Sequence, residues 1–178
     1  MKIEIAQKEF LHREFFAMAW SAASQHNKIY RKDKKVSENK KTEFHKFMRE
    51  ILNSISEGYK KEIDEKQHVG NINGLKDKIE KNYDNLLKNS KITFGTCQKV
   101  LNVYLKYLWS LKEIATPPHC PIDSFVIKEL RKKFSKISWT KIEERDYWDI
   151  IETIKEIAKG QSIAEWELII FNDRQVAL

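Results

Sequence analysis

The sequence predicts an all-α protein, a single compact orthogonal multi-helix domain of about seven helices over residues 1–178. Three features predict it. Helix breakers are scarce, with five glycines and three prolines in the chain, so long uninterrupted helices are favoured over a many-turned β fold. Apolar residues recur every three or four positions over long windows. Side chains suited to helix N-caps stand ahead of several of those windows. A chain of this length buries a core without metal or disulfide staples. The apolar share of 41% and charged share of 33% are globular values and argue against disorder.

Residues 7–30 read as the first helix, with Phe10, Phe15, Ala17, Met18, Ala22 and Ile29 at helical spacing. Residues 1–6 alternate and suggest a short strand, although nothing else in the chain would pair with it. Ser37 is placed to cap a second helix reaching about His68, with a stripe of Phe44, Phe47, Met48, Ile51, Leu52, Ile55, Tyr59 and Ile63. Gly70, Asn71, Asn73 and Gly74 read as a turn. A third helix follows, carrying Leu75, Ile79, Tyr83, Leu86 and Leu87 on one face. Thr93 is a plausible cap for a fourth helix, 94–114, which is apolar nearly all round and so belongs in the middle of the domain. All three prolines fall in the next loop, at Pro117, Pro118 and Pro121. Asp123 stands where the N-cap of a helix over 124–134 belongs. Thr140 with Glu143, and Ser162 with Glu165, have capping-box spacing for the last two helices.

The net charge is +7 and the pI about 9.2, compatible with a nucleic-acid partner or with a well-solvated lysine-rich surface. The excess is clustered. One cluster runs over 28–41 and includes Lys34 and Lys35, as a possible basic arm. The other comprises Lys128, Arg131, Lys132, Lys133 and Lys136. No apolar run approaches the roughly 18 residues of a membrane span, and no signal peptide is read at the N-terminus. The expectation is a soluble, cytoplasmic protein without a membrane partner. Cys97 and Cys120 are expected as reduced thiols, since two cysteines make no disulfide framework. With His119 they lack the spacing of a closed zinc site. No glycine-rich phosphate loop and no Gly-x-Ser-x-Gly elbow occurs, so no cofactor is implied.

Chemistry is sought around the central helix. Gln98, Asn102 and Lys106 are spaced by four, beside Lys99, and form one polar stripe on an apolar rod. A buried polar group without a partner costs about 1–3 kcal/mol. The stripe therefore faces solvent, bonds neighbouring loops, or lines a cleft beside the proline loop. That loop holds His119 and Asp123 on a backbone stiffened by X-Pro bonds. Asp123 is a helix cap, a role that keeps its carboxylate ionised and leaves it free for catalysis. His119 is either a loop histidine or a base.

The segment Phe94-Gly95-Thr96-Cys97-Gln98-Lys99, the apolar helix after it, and Pro121-Ile122-Asp123-Ser124-Phe125-Val126 resemble the helix-hairpin-helix DNA glycosylases, most of all the 8-oxoguanine branch. The resemblance spans about residues 93–128. It implies that Lys99 attacks the sugar C1′ of a flipped nucleotide, and that Asp123 caps its helix and supports the developing positive charge. Residues 89–95 stand where that family has a Leu-Pro-Gly-[Val/Ile]-Gly hairpin, and keep one glycine of it. Residues 94–123 also resemble small bacterial helical proteins, which implies no activity.

Three functions follow as alternatives. One is a DNA-acting protein with a glycosylase-like core, catalytic through Lys99 and Asp123, with Lys106 a competing lysine. Another is a non-enzymatic nucleic-acid-binding module, DNA favoured, gripping through Lys34, Lys35, Arg131, Lys132 and Lys133 beside Gln98, Asn102, Lys106 and His119. The third is a protein-interaction or regulatory subunit, as in bacterial defence or toxin–antitoxin systems. The first requires the ends of Lys99 and Asp123 to face one cleft. Lys99 buried against Trp109, or on the far surface, excludes it.

Overall fold

The structure, a computed structural model, describes residues 2–25, 27–32 and 36–176, with the backbone alone for Arg131, Lys132, Gln175 and Val176. Among the described residues seven α helices are found and no strand: α1 (Ile3–Ser24), α2 (Glu38–Glu57), α3 (Glu65–Tyr83), α4 (Phe94–Ser110), α5 (Ser124–Glu129), α6 (Glu144–Ala158) and α7 (Ile163–Val176). Short 3-10 turns join several of them, including Gly58–Lys60 and Trp139–Lys141. No described helix is long and apolar enough to cross a membrane.

Helix α4 is the axis of the fold. It packs against α1, α2, α3 and the 139–141 turn. Cys97, Val100, Leu101, Tyr104, Leu105 and Leu108 on it are buried. Each such leucine contributes about 1.5–3 kcal/mol by leaving water. Helix α1 lies along α4 through Phe16, Ala19, Trp20 and Ala23, whose small alanines let the two helices approach closely. Phe15 stacks on Tyr107 at a ring separation of 5.0 Å. After α1 the chain is tied to the α3–α4 connection by two backbone bonds, Lys88 N to Ile29 O at 2.8 Å and Arg31 N to Leu86 O at 3.1 Å.

Caps account for most helix starts. Ser37 accepts from Lys40 N, Asp64 from Gln67 N, Thr93 from Thr96 N, and Asp123 from Phe125 N and Val126 N. Ser162 and Glu165 form the expected reciprocal box ahead of α7.

Four expectations are corrected. Residues 3–6 are the first turn of α1, because a lone strand has no partner for its backbone groups and a helix satisfies them internally. The break after α2 falls at 58–64, where Tyr59 is buried and Asp64 caps the next helix. Gly70, Asn71, Asn73 and Gly74 lie inside α3. Glycine costs a helix about 1 kcal/mol per residue, and here Val69, Ile72 and Leu75, buried between and beside the glycines, offset it. The box ahead of α6 is Glu143 with Asp146, while Thr140 sits in a 3-10 turn.

Gly95 marks a close approach. A Cβ there would stand 2.1 Å from the Trp139 carbonyl oxygen, a backbone atom that a side-chain rotation cannot move. Gly74 has nothing within 4 Å of such a Cβ. Gly95→Ala is therefore expected to lower stability by about 2–3 kcal/mol, and Gly74→Ala to raise it by roughly 0.5–1 kcal/mol. Urea denaturation of the two variants checks both signs.

Candidate functional site

Three faces of α4 meet three separate structures. Gly95 and Lys99, one turn apart and so on one face, meet the 139–141 turn. Gln98 meets the proline loop. Asn102 meets α6.

Gln98 is fully buried. Its Nε2 donates to Ile122 O at 2.7 Å and its Oε1 accepts from Ile122 N at 3.1 Å. One side-chain amide thus satisfies both backbone groups of a buried residue, as a neighbouring strand would. Because 98 is clamped to 122, the next residue on each segment is brought opposite. Lys99 Nζ lies 3.4 Å from Asp123 Oδ2. The carboxylate divides its work: Oδ1 takes the two α5 amides at 2.9 and 3.0 Å, and Oδ2 faces the ammonium. The Lys99 ammonium also lies 4.3 Å from the centre of the Trp139 ring, within cation–π range. The lysine side chain is 11% exposed and that of Asp123 29%, so the pair is reached from outside on the carboxylate side.

Lys99 and Asp123 thus lie together as an ion pair. The tryptophan beside the lysine is Trp139, not Trp109. Lys106, the competing lysine, belongs to a different pair. It sits seven residues further along α4, roughly 10 Å along the axis, and binds both carboxylate oxygens of Glu167 at 2.7 and 3.0 Å. Its ammonium lies 4.1 Å from the Phe171 ring centre. Burial pushes the Glu167 carboxyl up, against the opposing pull of Lys106.

Asn102 and His119 form a third group. Asn102 Nδ2 donates to Tyr147 Oη at 3.2 Å, and it lies 3.4 Å from Gln98 Oε1. His119 Nδ1 stands 3.1 Å from the same tyrosine oxygen. His119 Nε2 is 3.6 Å from Glu65 Oε1, but its pKa is driven down to about 2. Desolvation is the main cause, with His68 and Lys155 adding to it. Glu65 is itself held at 2.8 Å by Lys155. The polar stripe of α4 therefore bonds the neighbouring loop and helices.

Of the basic residues, Lys133 is exposed, with Nζ on Thr153 Oγ1 at 3.0 Å. Lys34, Lys35 and the side chains of Arg131 and Lys132 lie outside the described residues. A different basic feature emerges. Lys28, Lys88, Lys91 and Lys141 line one cleft of about 420 Å³ beside Thr93, at the start of α4. The four come from three distant segments, so no run of sequence announced them. His68, Tyr147 and Glu167 were likewise missed, each being an ordinary position on the core face of a helix. Among the described residues no group of three His, Cys, Asp or Glu side chains is arranged to hold a metal ion.

No protein-family model, no curated protein and no solved structure matches the chain.

The clamp predicts a cost. Gln98→Leu leaves the buried N–H and C=O of Ile122 unpaired, and each such group costs about 1–3 kcal/mol. A loss of roughly 3 kcal/mol is expected from chemical denaturation, whereas Ser110→Ala, at an exposed helix end, should change stability by less than about 0.5 kcal/mol.

Proposed function

We propose that this protein acts on DNA as a glycosylase-like enzyme, with Lys99 as nucleophile and Asp123 as its charge-stabilising partner. The observation that carries the reading is the 3.4 Å pair of Lys99 and Asp123, in which the carboxylate caps α5 with one oxygen and offers the other. This is the arrangement that the resemblance over 93–128 implies. The lysine-lined cleft at the start of α4 supports the same reading. Lys28, Lys88, Lys91 and Lys141 are exposed there, and lysines grouped beside a helix N-terminus suit phosphate.

In the proposed reaction a damaged nucleotide leaves the stack, at a cost of a few kcal/mol. Once the Lys99 ammonium has given one proton to water, its Nζ lone pair bonds to C1′ as the bond from C1′ to the base nitrogen breaks. The bonding pair leaves with the base, which takes up the proton Nζ releases. Asp123 Oδ2 faces the positive charge that develops on the sugar. Departure of the ring oxygen from C1′, which takes up the remaining Nζ proton, then opens the sugar and leaves an imine on Lys99.

Borohydride reduces such an imine to a stable amine, so trapping is the direct test. Incubation with a duplex carrying 8-oxoguanine is expected to give a protein–DNA adduct of the summed mass. Lys99→Gln should abolish it, and Asp123→Asn should slow its formation by about 10²-fold, with helical circular dichroism unchanged. A second reading is favoured by the enclosure of Lys99 between Asp123 and Trp139, which also suits a structural ion pair. Binding to undamaged duplex that falls steeply with salt, without an adduct, would assign the pair to structure and the protein to non-enzymatic DNA binding.

A further inference from the structure

Among the described residues three buried side-chain polar atoms have no hydrogen-bond partner: His68 Nε2, Asn102 Oδ1 and His119 Nε2. They belong to α3, α4 and the proline loop, and their residues are each at least 98% buried. The two imidazole rings meet edge to face at 4.8 Å.

The proton order around them is constrained. Asn71 Nδ2 donates to Tyr59 Oη, whose own hydrogen is then available to His68 Nδ1 at 2.7 Å. In the same way Asn102 Nδ2 donates to Tyr147 Oη, whose hydrogen is available to His119 Nδ1. With those hydrogens directed at Nδ1, each histidine is a neutral acceptor there and carries its proton on Nε2. His68 Nε2 and Asn102 Oδ1 are out of hydrogen-bond geometry, yet Asn102 favours the charged form of His68 slightly, against a larger opposing effect of burial.

Adding a proton to His119 breaks this order. Its Nδ1 becomes a donor, so the buried Tyr147 hydroxyl must turn to accept and its own hydrogen loses the acceptor it had, and the charge sits in a fully buried ring. The groups around that ring are Glu65 and His68 from α3, Asn102 and Lys106 from α4, and Tyr147 and Lys155 from α6, with Glu167 from α7 lining the same small cavity. Of the two carboxylates, Glu65 is engaged by Lys155 and Glu167 by Lys106.

We propose that His119 is an acid-operated latch: neutral, it docks the 116–123 loop onto α3, α4 and α6, and protonated it releases the loop and uncovers Cys120 while the helices stay folded. The latch stands whether or not Lys99 is catalytic. Cys120 is a reporter built into the loop, buried at 1% exposure next to His119, whereas Cys97 is buried in α4.

The sign follows from where the proton is held. The closed form keeps His119 neutral well below pH 6.5, and the open form takes up a proton below about pH 6.5. Opening therefore becomes about tenfold more favourable per pH unit below that point. Between pH 7 and pH 5 the labelling of Cys120 by a pyridyl disulfide, normalised to a free thiol peptide at each pH, should rise by up to about 25-fold. Cys97 labelling and helical circular dichroism should stay constant, and His119→Gln should remove the pH dependence. Simultaneous labelling of both cysteines with loss of helix would overturn the proposal, as would an unchanged slope in His119→Gln. Imidazole nitrogen shifts of the wild-type protein need no variant: a charged His119 with the loop still closed at pH 6 also overturns it.

Discussion

A loop that carries three prolines has lost three backbone donors and cannot hold itself in place by a hydrogen-bonded ladder. The pairing of the Gln98 amide with both backbone groups of Ile122 answers that constraint. It turns the most buried helix of the domain into the template on which the loop is laid. The loop's other anchors are also supplied from outside. Ala115 N donates to Tyr59 O where the loop begins, His119 leans on Tyr147, and Asp123 ends the loop by capping α5. The polar positions on α4 are thus the structural complement of a backbone short of donors.

From the clamp the rest of the site follows by register. Once 98 faces 122, Lys99 and Asp123 are neighbours. One turn earlier, Gly95 has no side chain, so the 139–141 turn can press against α4 and set the Trp139 ring over the lysine. Backbone contact, cation–π contact and ion pair are three consequences of one helix face. The ion pair itself is partly solvated on the carboxylate side, so its worth lies in orientation more than in stability.

Local signals in the sequence predicted much of this. The caps at Ser37, Thr93, Asp123 and Ser162 were readable because capping is a contact over two or three residues. The nearly all-round apolar character of residues 94–111 placed that helix at the centre. The errors arose where tertiary packing overrides local preference. Gly70 and Gly74 read as a turn, but the buried face between them holds the helix together. Thr140 read as a cap, but Gly95 draws its segment into a 3-10 turn. The candidate site was legible only in part. Lys99, Gln98 and Asn102 stood out by residue type, and the partners that give them meaning, Trp139, Ile122 and Tyr147, lie 20 to 50 residues away with no pattern linking them. The four-lysine cleft was invisible for the same reason.

The central claim is that the Gln98 amide, and not the loop's own stiffness, fixes the backbone ahead of Asp123. Hydrogen exchange of the Ile122 amide measures this most directly, because that N–H has Gln98 Oε1 as its partner. The account predicts that Ile122 exchanges far more slowly than an unprotected loop amide, by local release of the loop, and that in Gln98→Leu it exchanges orders of magnitude faster while the α4 amides change only with overall stability. Rapid exchange of Ile122 in the wild-type protein, at the rate of an open loop, would contradict the account.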